Sequence, residues 1–444
     1  MPQAYDRPPV APSSTASQRE PAAPAGPQRR PTRISPAGRT RAWAIFAVAG
    51  LGFLLSQFYR VSATVISPQL SRDLGLDMAQ LGALSAAFFY AFALSQIPLG
   101  LFLDRVGARR AVAVLALAGL AGAGLFAGAT GLGQAMAGRA LLGVGMSCNL
   151  MGALALLSAW FPPAHFATIS GLLVGMGYLG TLLAATPLAL MTQAWGWRWA
   201  FLTVAALNAL QVAAFLLVVR DRPPGQQAPE RQARSPFAGL GQVLGRPAFW
   251  GICLGTFFRY GCFTAILGLW AGPFLISGLG YGEVQAGNAL LCLSVGHILA
   301  LPLSGRLSDR WVNTRKWVIT PSLFLSALLT LGLGLLDRGG SHWAVYALLA
   351  LIGVAAAPGQ IMYAHVKELV PDQRQGAAMT GINLFTMLGP AVVMQLVGLV
   401  VEGGPKSLAE PSQFWPAWWL LAGGLALAGV VYAWVPDSHA RGQG

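Results

Sequence analysis

The chain alternates long apolar runs with short polar segments. A transmembrane helix needs about 20 mostly apolar residues, and by that measure the sequence contains twelve candidate spans. They cover approximately residues 43–66, 79–103, 110–130, 133–159, 167–190, 198–219, 248–272, 282–304, 316–335, 342–366, 374–401 and 415–435. The pattern predicts an all-α membrane protein with twelve transmembrane helices.

Polar segments divide the chain into two halves. Residues 220–247 form the longest polar stretch between two apolar runs, and we interpret them as a cytoplasmic linker between six-helix halves at 43–219 and 248–435. Residues 1–42 are rich in Pro, Ala, Ser and Arg and lack an apolar period, which predicts a disordered basic cytoplasmic tail. Residues 436–444 form a short cytoplasmic tail.

Composition and charge narrow the function classes. With 55% hydrophobic and 10% charged residues among 444, the chain is not a water-soluble globule, and the lipid bilayer is its predicted surrounding. The net charge is +14, but the basic residues lie between apolar runs and do not form a patch interleaved with aromatic residues. No nucleic-acid partner is therefore indicated. The four cysteines lie in apolar segments without CxxC spacing, which indicates neither a disulfide framework nor a zinc site.

The distribution of Lys and Arg predicts the orientation. With the N-terminus inside, most basic residues fall in cytoplasmic segments. The outer loops then hold Arg72, Arg198, Arg338 and Lys406. By the positive-inside rule we expect both termini in the cytoplasm of a bacterial inner membrane.

Two loops repeat the same motif 205 residues apart. Span two is followed by Gly100-Leu-Phe-Leu-Asp104-Arg105-Val-Gly107-Ala-Arg109-Arg110, and span eight by Gly305-Arg-Leu-Ser-Asp309-Arg310. Matching loops in two six-helix halves are typical of a duplicated, pseudo-symmetric transporter.

From residue 43 to 435 the chain resembles the major facilitator superfamily, on these loops, on Arg139-Ala-Leu-Leu-Gly143-Val-Gly145 in span four and on Gly196-Trp-Arg-Trp-Ala-Phe201. The resemblance implies a monomeric secondary transporter that is not an enzyme and needs no cofactor. In that family the loop motif is thought to latch the two halves in the outward-open state. The corresponding residues here are Gly100, Asp104, Arg105, Gly107, Arg110, Arg139, Gly305, Asp309 and Arg310.

Three arginines lie inside spans, namely Arg60, Arg139 and Arg259. An arginine near a helix centre costs about 2.5–3.5 kcal/mol on insertion scales, so such a residue suggests function. Arg60 and Arg259 lie in the first helix of each half, where pseudo-symmetry predicts opposite walls of one cavity. Two guanidiniums facing one cleft repel each other unless an anion lies between them. We therefore predict a small organic anion as substrate: a carboxylate, phosphate ester or sulfonate.

Two branches of the superfamily share this arrangement. Arg259-Tyr260-Gly261 resembles the organophosphate–phosphate antiporters, and Tyr59-Arg60-Val-Ser resembles the anion–cation symporters. In both branches the matching arginines contact the anionic group, so the resemblance implies that role for Arg60 and Arg259. The predicted neighbours in the site are Tyr59, Tyr260, Gln57 and Asn149.

The sequence departs from those symporters in its acidic residues. They usually carry an acidic residue beside the first-span arginine and another in span four, where this chain has Tyr59 and Asn149. His297, inside span eight, carries a side chain that titrates near neutral pH, so it is the candidate proton relay. Uniport, exchange against a counter-anion and co-transport with a coupling proton all remain open.

A soft metal ion and a small drug-like molecule are the two alternative cargoes. A copper importer would use thioether, thiolate and imidazole ligands. The candidates are Met146, Cys148, Met151, Cys262, Cys292 and His297. Two arginines would repel a metal cation, so we predict no metal site. Efflux of small drug-like molecules is also disfavoured, because cationic drugs require a membrane-embedded carboxylate.

Overall fold

The computed structural model describes residues 36–223, 240–371, 374–403 and 410–438. The first half contains α1 (Pro36–Val61, continued by Ala63–Leu74), α2 (Met78–Val106), α3 (Ala108–Ala127), α4 (Leu132–Met146, continued by Asn149–Trp160), α5 (Pro163–Leu183, continued over 186–195) and α6 (197–218). The second half contains α7 (Pro247–Gly278), α8 (Glu283–Trp311), α9 (Lys316–Leu335), α10 (His342–Glu368), α11 (Gln375–Glu402) and α12 (Pro411–Ala433).

In the described part of the chain, eleven helices are long and apolar enough to cross a membrane, and dividing Thr186–Val218 at Gly196 gives α5 the length of a twelfth span. The predicted fold class is confirmed. Helices α5 and α6 meet at Gly196, whose φ of 78° turns the chain between them. Two boundaries differ from the prediction. Residues 36–42 of the expected tail are helical, because α1 begins at Pro36, and the expected linker contains a short helix, Leu240–Leu244. Residues 1–35 and 224–239 lie outside the described residues.

Local sequence signals explain several helix ends. Asp77 caps α2 by accepting from the backbone N–H of Gln80, whose side chain bonds back to the N–H of Asp77. Gly75 ends α1 with a φ of 64°, and Gly107 makes the tight turn between α2 and α3 with a φ of 88°. The loop glycine singled out in the repeated motif therefore serves the backbone geometry of its turn.

Because the number of spans is even, both ends of the chain lie on one side of the bundle. We call this side the terminal face and the opposite side the far face. The halves join at the far face. There Gln69 Nε2 donates to Glu283 Oε1 at 2.8 Å, and the backbone N–H of Met78 donates to Glu402 Oε2 at 3.1 Å. Thr186 Oγ1 donates to Asn288 Oδ1 at 2.8 Å.

Glycines bring the two halves into backbone contact at the same face. A Cβ added to Gly287 would lie 2.9 Å from the Cα of Thr186, and one added to Gly398 would lie 2.7 Å from the carbonyl oxygen of Met78. A Cβ on Gly272 would overlap the carbonyl oxygen of Thr64. Close helix packing through small residues is the usual basis of helix association in membranes, so the far face is closed in this conformation.

Candidate functional site

A cavity of about 370 Å³ lies between the two halves near the middle of the bundle. Helices α1, α2, α4 and α5 line it from one side, and α7, α8, α10 and α11 from the other. Met151 of α4, which is 44% exposed, and the exposed Gln360 of α10 both line it. Both residues lie in the half of their helix that is nearer the terminal face, so the cavity opens toward that face.

Arg60 of α1 lines the cavity and is 8% exposed. Its Nη1 donates to the hydroxyl oxygen of Tyr260 at 2.8 Å, and its guanidinium lies 4.9 Å from the ring centroid of Phe92. Because Tyr260 accepts this bond, the proton of its hydroxyl is available to a ligand. The pair therefore joins the two halves and offers both a positive charge and a hydroxyl donor.

Arg259 lies directly behind this pair. It is 1% exposed and is not among the cavity-lining residues, and its Cζ lies 5.5 Å from the ring centroid of Tyr260. None of its three side-chain nitrogens has a hydrogen-bond partner among the described residues. A buried guanidinium without partners is costly. Arg259 is therefore a strong hydrogen-bond donor that is separated from the cavity by the ring of Tyr260.

Helix α10 makes room for Arg259. The α-helical hydrogen bonding of α10 is interrupted by a 3-10 turn at Ala357–Gln360, which contains Pro358 and Gly359. A Cβ on Gly359 would lie 2.8 Å from Arg259 Cζ and closer still to Nε and Cδ. The absence of a side chain at Gly359 therefore allows the guanidinium to lie against the α10 backbone.

A chain of polar side chains crosses from one half to the other beside the cavity. Gln96 Nε2 donates to the carbonyl oxygen of Ser147 at 3.1 Å, and Asn383 Nδ2 donates to Gln96 Oε1 at 3.1 Å. The hydroxyl of Tyr363 continues the chain, because it lies 3.3 Å from Asn383 Oδ1 and 2.9 Å from Thr386 Oγ1. None of these residues was among the predicted site residues, although an amide inside an apolar span is a signal for such a bond.

His297 lines the cavity from α8. Its Nδ1 lies 3.1 Å from the carbonyl oxygen of Gly353, and its ring centroid lies 4.5 Å from that of Phe263. A carbonyl oxygen can only accept, so this contact assigns the hydrogen to Nδ1 and leaves Nε2 of the neutral ring as an acceptor. His297 can therefore accept a hydrogen bond from a hydroxyl group of a ligand.

The predicted neighbours of the arginines divide into two groups. Gln57 and Tyr260 line the cavity, whereas Tyr59 and Asn149 do not. The backbone carbonyl of Tyr59 accepts from Arg139 Nη1 at 2.8 Å, so Arg139 ties α4 to α1. The amide nitrogen of Asn149 lies 3.3 Å from Met146 Sδ.

The six soft-metal candidates are not brought together. Met146, Met151 and His297 line the cavity, but the three cysteines do not. Cys148 is buried in the first half, and Cys262 Sγ donates to the carbonyl oxygen of Leu421 at 3.6 Å. Cys292 is partly exposed. In the described part of the chain, no group of three or more His, Cys, Asp or Glu side chains could hold a metal ion.

The repeated loops are bound within their own halves. The backbone N–H of Arg109 donates to Asp221 Oδ1 at 2.7 Å, and that of Arg315 donates to Asp437 Oδ1 at 3.2 Å. Each carboxylate lies at a helix N-terminus, where the dipole favours it. The side chain of the latch residue Asp104 lies outside the described residues.

Arg315 also binds both acidic neighbours of its loop. It forms ion pairs with Asp309 and, at 2.8 Å, with Glu368. Burial acts to lower the pKa of Arg315, but the hydrogen bonds to Glu368 and Asp309 outweigh it and raise that pKa. In this conformation Asp309 is thus paired within the second half.

The comparisons with known proteins agree with this architecture. The sequence model of the Major Facilitator Superfamily matches residues 46–295 and 252–444. The hexuronate transporter of Escherichia coli strain K12 is 26% identical over 339 residues, 70% of this chain and 76% of the relative. The D-galactonate transporter of Escherichia coli O6:H1 is 24% identical over 376 residues, 78% of this chain and 85% of the relative.

Among solved structures, a bacterial homolog of the human lysosomal transporter Spinster, in an inward-facing and occupied conformation, has a TM-score of 0.75 at 16% identity. It covers 90% of this chain and 97% of the other. The resemblance predicted from the sequence motifs is confirmed by the family match. The chain belongs to the Major Facilitator Superfamily, whose members are membrane transporters.

Proposed function

We propose that this protein carries a small organic anion across the membrane by alternating access, with the anion bound at Arg60 and Tyr260 and then contacted by Arg259. The observation that carries the proposal is the contact of two guanidiniums with Tyr260, one with its hydroxyl and one with its ring, at a cavity that no Asp or Glu of the described residues lines. A carboxylate or phosphate matches the fork of an arginine.

The neutral groups of the cavity favour a hydroxylated carboxylate. Gln57, Gln96, Asn383 and His297 provide amide and imidazole groups for hydroxyls. The cavity of about 370 Å³ is within the usual size range of small-molecule pockets. The names of the relatives, a hexuronate and a D-galactonate transporter, support the same substrate class.

The closed far face and the cavity open to the terminal face correspond to one end state of alternating access. By the positive-inside rule the terminal face is cytoplasmic, which gives an inward-facing state with both termini inside. The bacterial relatives support a bacterial inner membrane. One chain forms the whole cavity, so the unit of transport is a monomer.

Ligand-induced thermal stabilisation of the purified protein tests the proposal, because a ligand of the native state raises its Tm. The panel is D-glucuronate, D-galactonate, glycerol 3-phosphate, a sulfonate, a lipophilic cation and copper(I). Arg60→Gln and Arg259→Gln are compared with Arg72→Gln, a control at an exposed arginine. We expect one anion class to stabilise the wild type and the Arg72→Gln control but neither Arg60→Gln nor Arg259→Gln. Stabilisation by cations alone, equal in all four proteins, would exclude the anion site.

A further inference from the structure

We propose that the transporter is an obligatory exchanger, which returns across the membrane efficiently only with an anion in its site. The inference rests on the proposed function and concerns how transport is coupled. It is carried by the charges around the cavity, where two guanidiniums have no carboxylate among the described side chains to pair with.

The acidic residues of the described part of the chain lie away from the cavity. The chain has fifteen Asp and Glu residues, and none of those whose side chains the structure describes lines the cavity. Those that belong to the spanning helices lie at helix ends. They are Asp73, Asp104, Glu283, Asp309, Glu368 and Glu402. A helix end is separated from the cavity centre by half the membrane thickness, so none of these carboxylates neutralises Arg60 or Arg259.

Reorientation requires an intermediate that is closed at both faces. In the empty protein that state would hold two positive charges away from water, which is costly in a low-dielectric interior. The partner that Arg60 has now, Tyr260, is a neutral phenol, and Arg259 has no hydrogen-bond partner in the described residues. A bound anion supplies negative charge and acceptors to both arginines. The loaded protein therefore passes through the closed state more easily than the empty one.

A proton cannot replace the anion in this step. His297 is the histidine that lines the cavity, and its protonation would add a third positive charge beside the two arginines. Protonation of a substrate carboxylate would likewise remove the charge that neutralises them. The return step therefore requires a second anion, on the same site, moving in the opposite direction.

Uptake into proteoliposomes tests the inference with radiolabelled D-glucuronate, D-galactonate and glycerol 3-phosphate. For the anion that is transported, we expect uptake into vesicles loaded with the same unlabelled anion to be at least about 10-fold faster than into empty vesicles, equivalent to about 1.4 kcal/mol of barrier. An inward proton gradient is expected to leave both rates unchanged.

Two other outcomes would overturn the inference in distinguishable ways. Equal uptake into empty and loaded vesicles, or accumulation driven by the proton gradient, would refute exchange and leave anion transport standing. Uptake of none of the three anions into either kind of vesicle would contradict the proposed function and exchange together.

A carboxylate introduced beside Arg60 provides the matched variant. Gln57 lines the cavity and lies three residues before Arg60, on the same face of α1. Gln57→Glu should neutralise the empty site and raise uptake into empty vesicles toward the loaded rate, whereas the neutral variant Gln57→Asn should keep the wild-type ratio of the two rates. An unchanged ratio in Gln57→Glu, with the protein folded, would argue against charge as the cause of exchange.

Discussion

Gly359→Ala tests the position of Arg259 without touching a charged residue. The added methyl carbon would lie 2.8 Å from Arg259 Cζ and nearer to Nε and Cδ, which is too close for any nonbonded contact. Gly359 lies in a 3-10 turn, a backbone conformation that alanine also adopts. The backbone can therefore accept the substitution, and the guanidinium has to move.

The expected size of the effect follows from what Arg259 offers the anion. A hydrogen bond to a charged group contributes about 1.5–3 kcal/mol. If the displaced guanidinium no longer reaches the anion, affinity should fall by about 10- to 100-fold. Alanine gains about 0.5–1 kcal/mol over glycine in a helix, which offsets part of the strain, so we expect the Tm of the ligand-free protein to change little.

Binding of D-glucuronate, measured by ligand-induced Tm shifts over a concentration series, separates the two effects. Gly423→Ala is the control, because the same methyl group on α12 would have no atom within 4 Å. Loss of affinity in Gly359→Ala with normal affinity in Gly423→Ala supports the assigned position of Arg259. Wild-type affinity in Gly359→Ala would refute the reasoning that Arg259 must stay where α10 leaves room for it.

Three further substitutions address the site, the far face and the loops. Tyr260→Phe removes the hydroxyl that accepts from Arg60 at 2.8 Å, so anion affinity in the Tm assay should fall by about 10-fold or more. Unchanged affinity would show that this hydroxyl takes no part in anion binding. Gly272→Ala would overlap the carbonyl oxygen of Thr64 and push α1 from α7. An impermeant maleimide added at the far face should then label a cysteine introduced at the cavity-lining position Ser294 faster than in the parent protein with the same cysteine; an equal rate would show that this contact does not hold the far face closed. Asp437→Asn removes a carboxylate at the start of α9 and should cost about 0.3–1 kcal/mol, seen as a lower Tm with unchanged anion affinity; a loss of affinity instead would link this loop to the site.

The spans were predictable because apolar runs of membrane length have few structural alternatives. The rotation of each helix was not. Consecutive residues on a helix point about 100° apart, so of the pair Tyr59 and Arg60 only the arginine lines the cavity. In the pair Arg259 and Tyr260 it is the tyrosine, and the arginine lies behind it.

Contacts between segments that are distant in the chain could not be predicted from the sequence either. Gln96 and Asn383 bond across 287 positions, which depends on how α2 meets α11. Asp221 was grouped with a polar linker, yet it caps α3, and Asp437 plays the same part at α9. The repeated loop motif was visible in one sequence, but these capping partners lie far from it in the chain and required the folded halves.

The most direct measurement of the central claim is exchange of labelled anion by the wild type, Arg60→Gln and the control Arg72→Gln in proteoliposomes. With D-glucuronate, D-galactonate or glycerol 3-phosphate on both sides, we predict rapid exchange by the wild type and the control and a rate at least about 100-fold lower in Arg60→Gln, the effect of losing a charged hydrogen-bond pair. Equal exchange by all three proteins, or transport of a cation in place of each anion, would contradict an anion site built on Arg60.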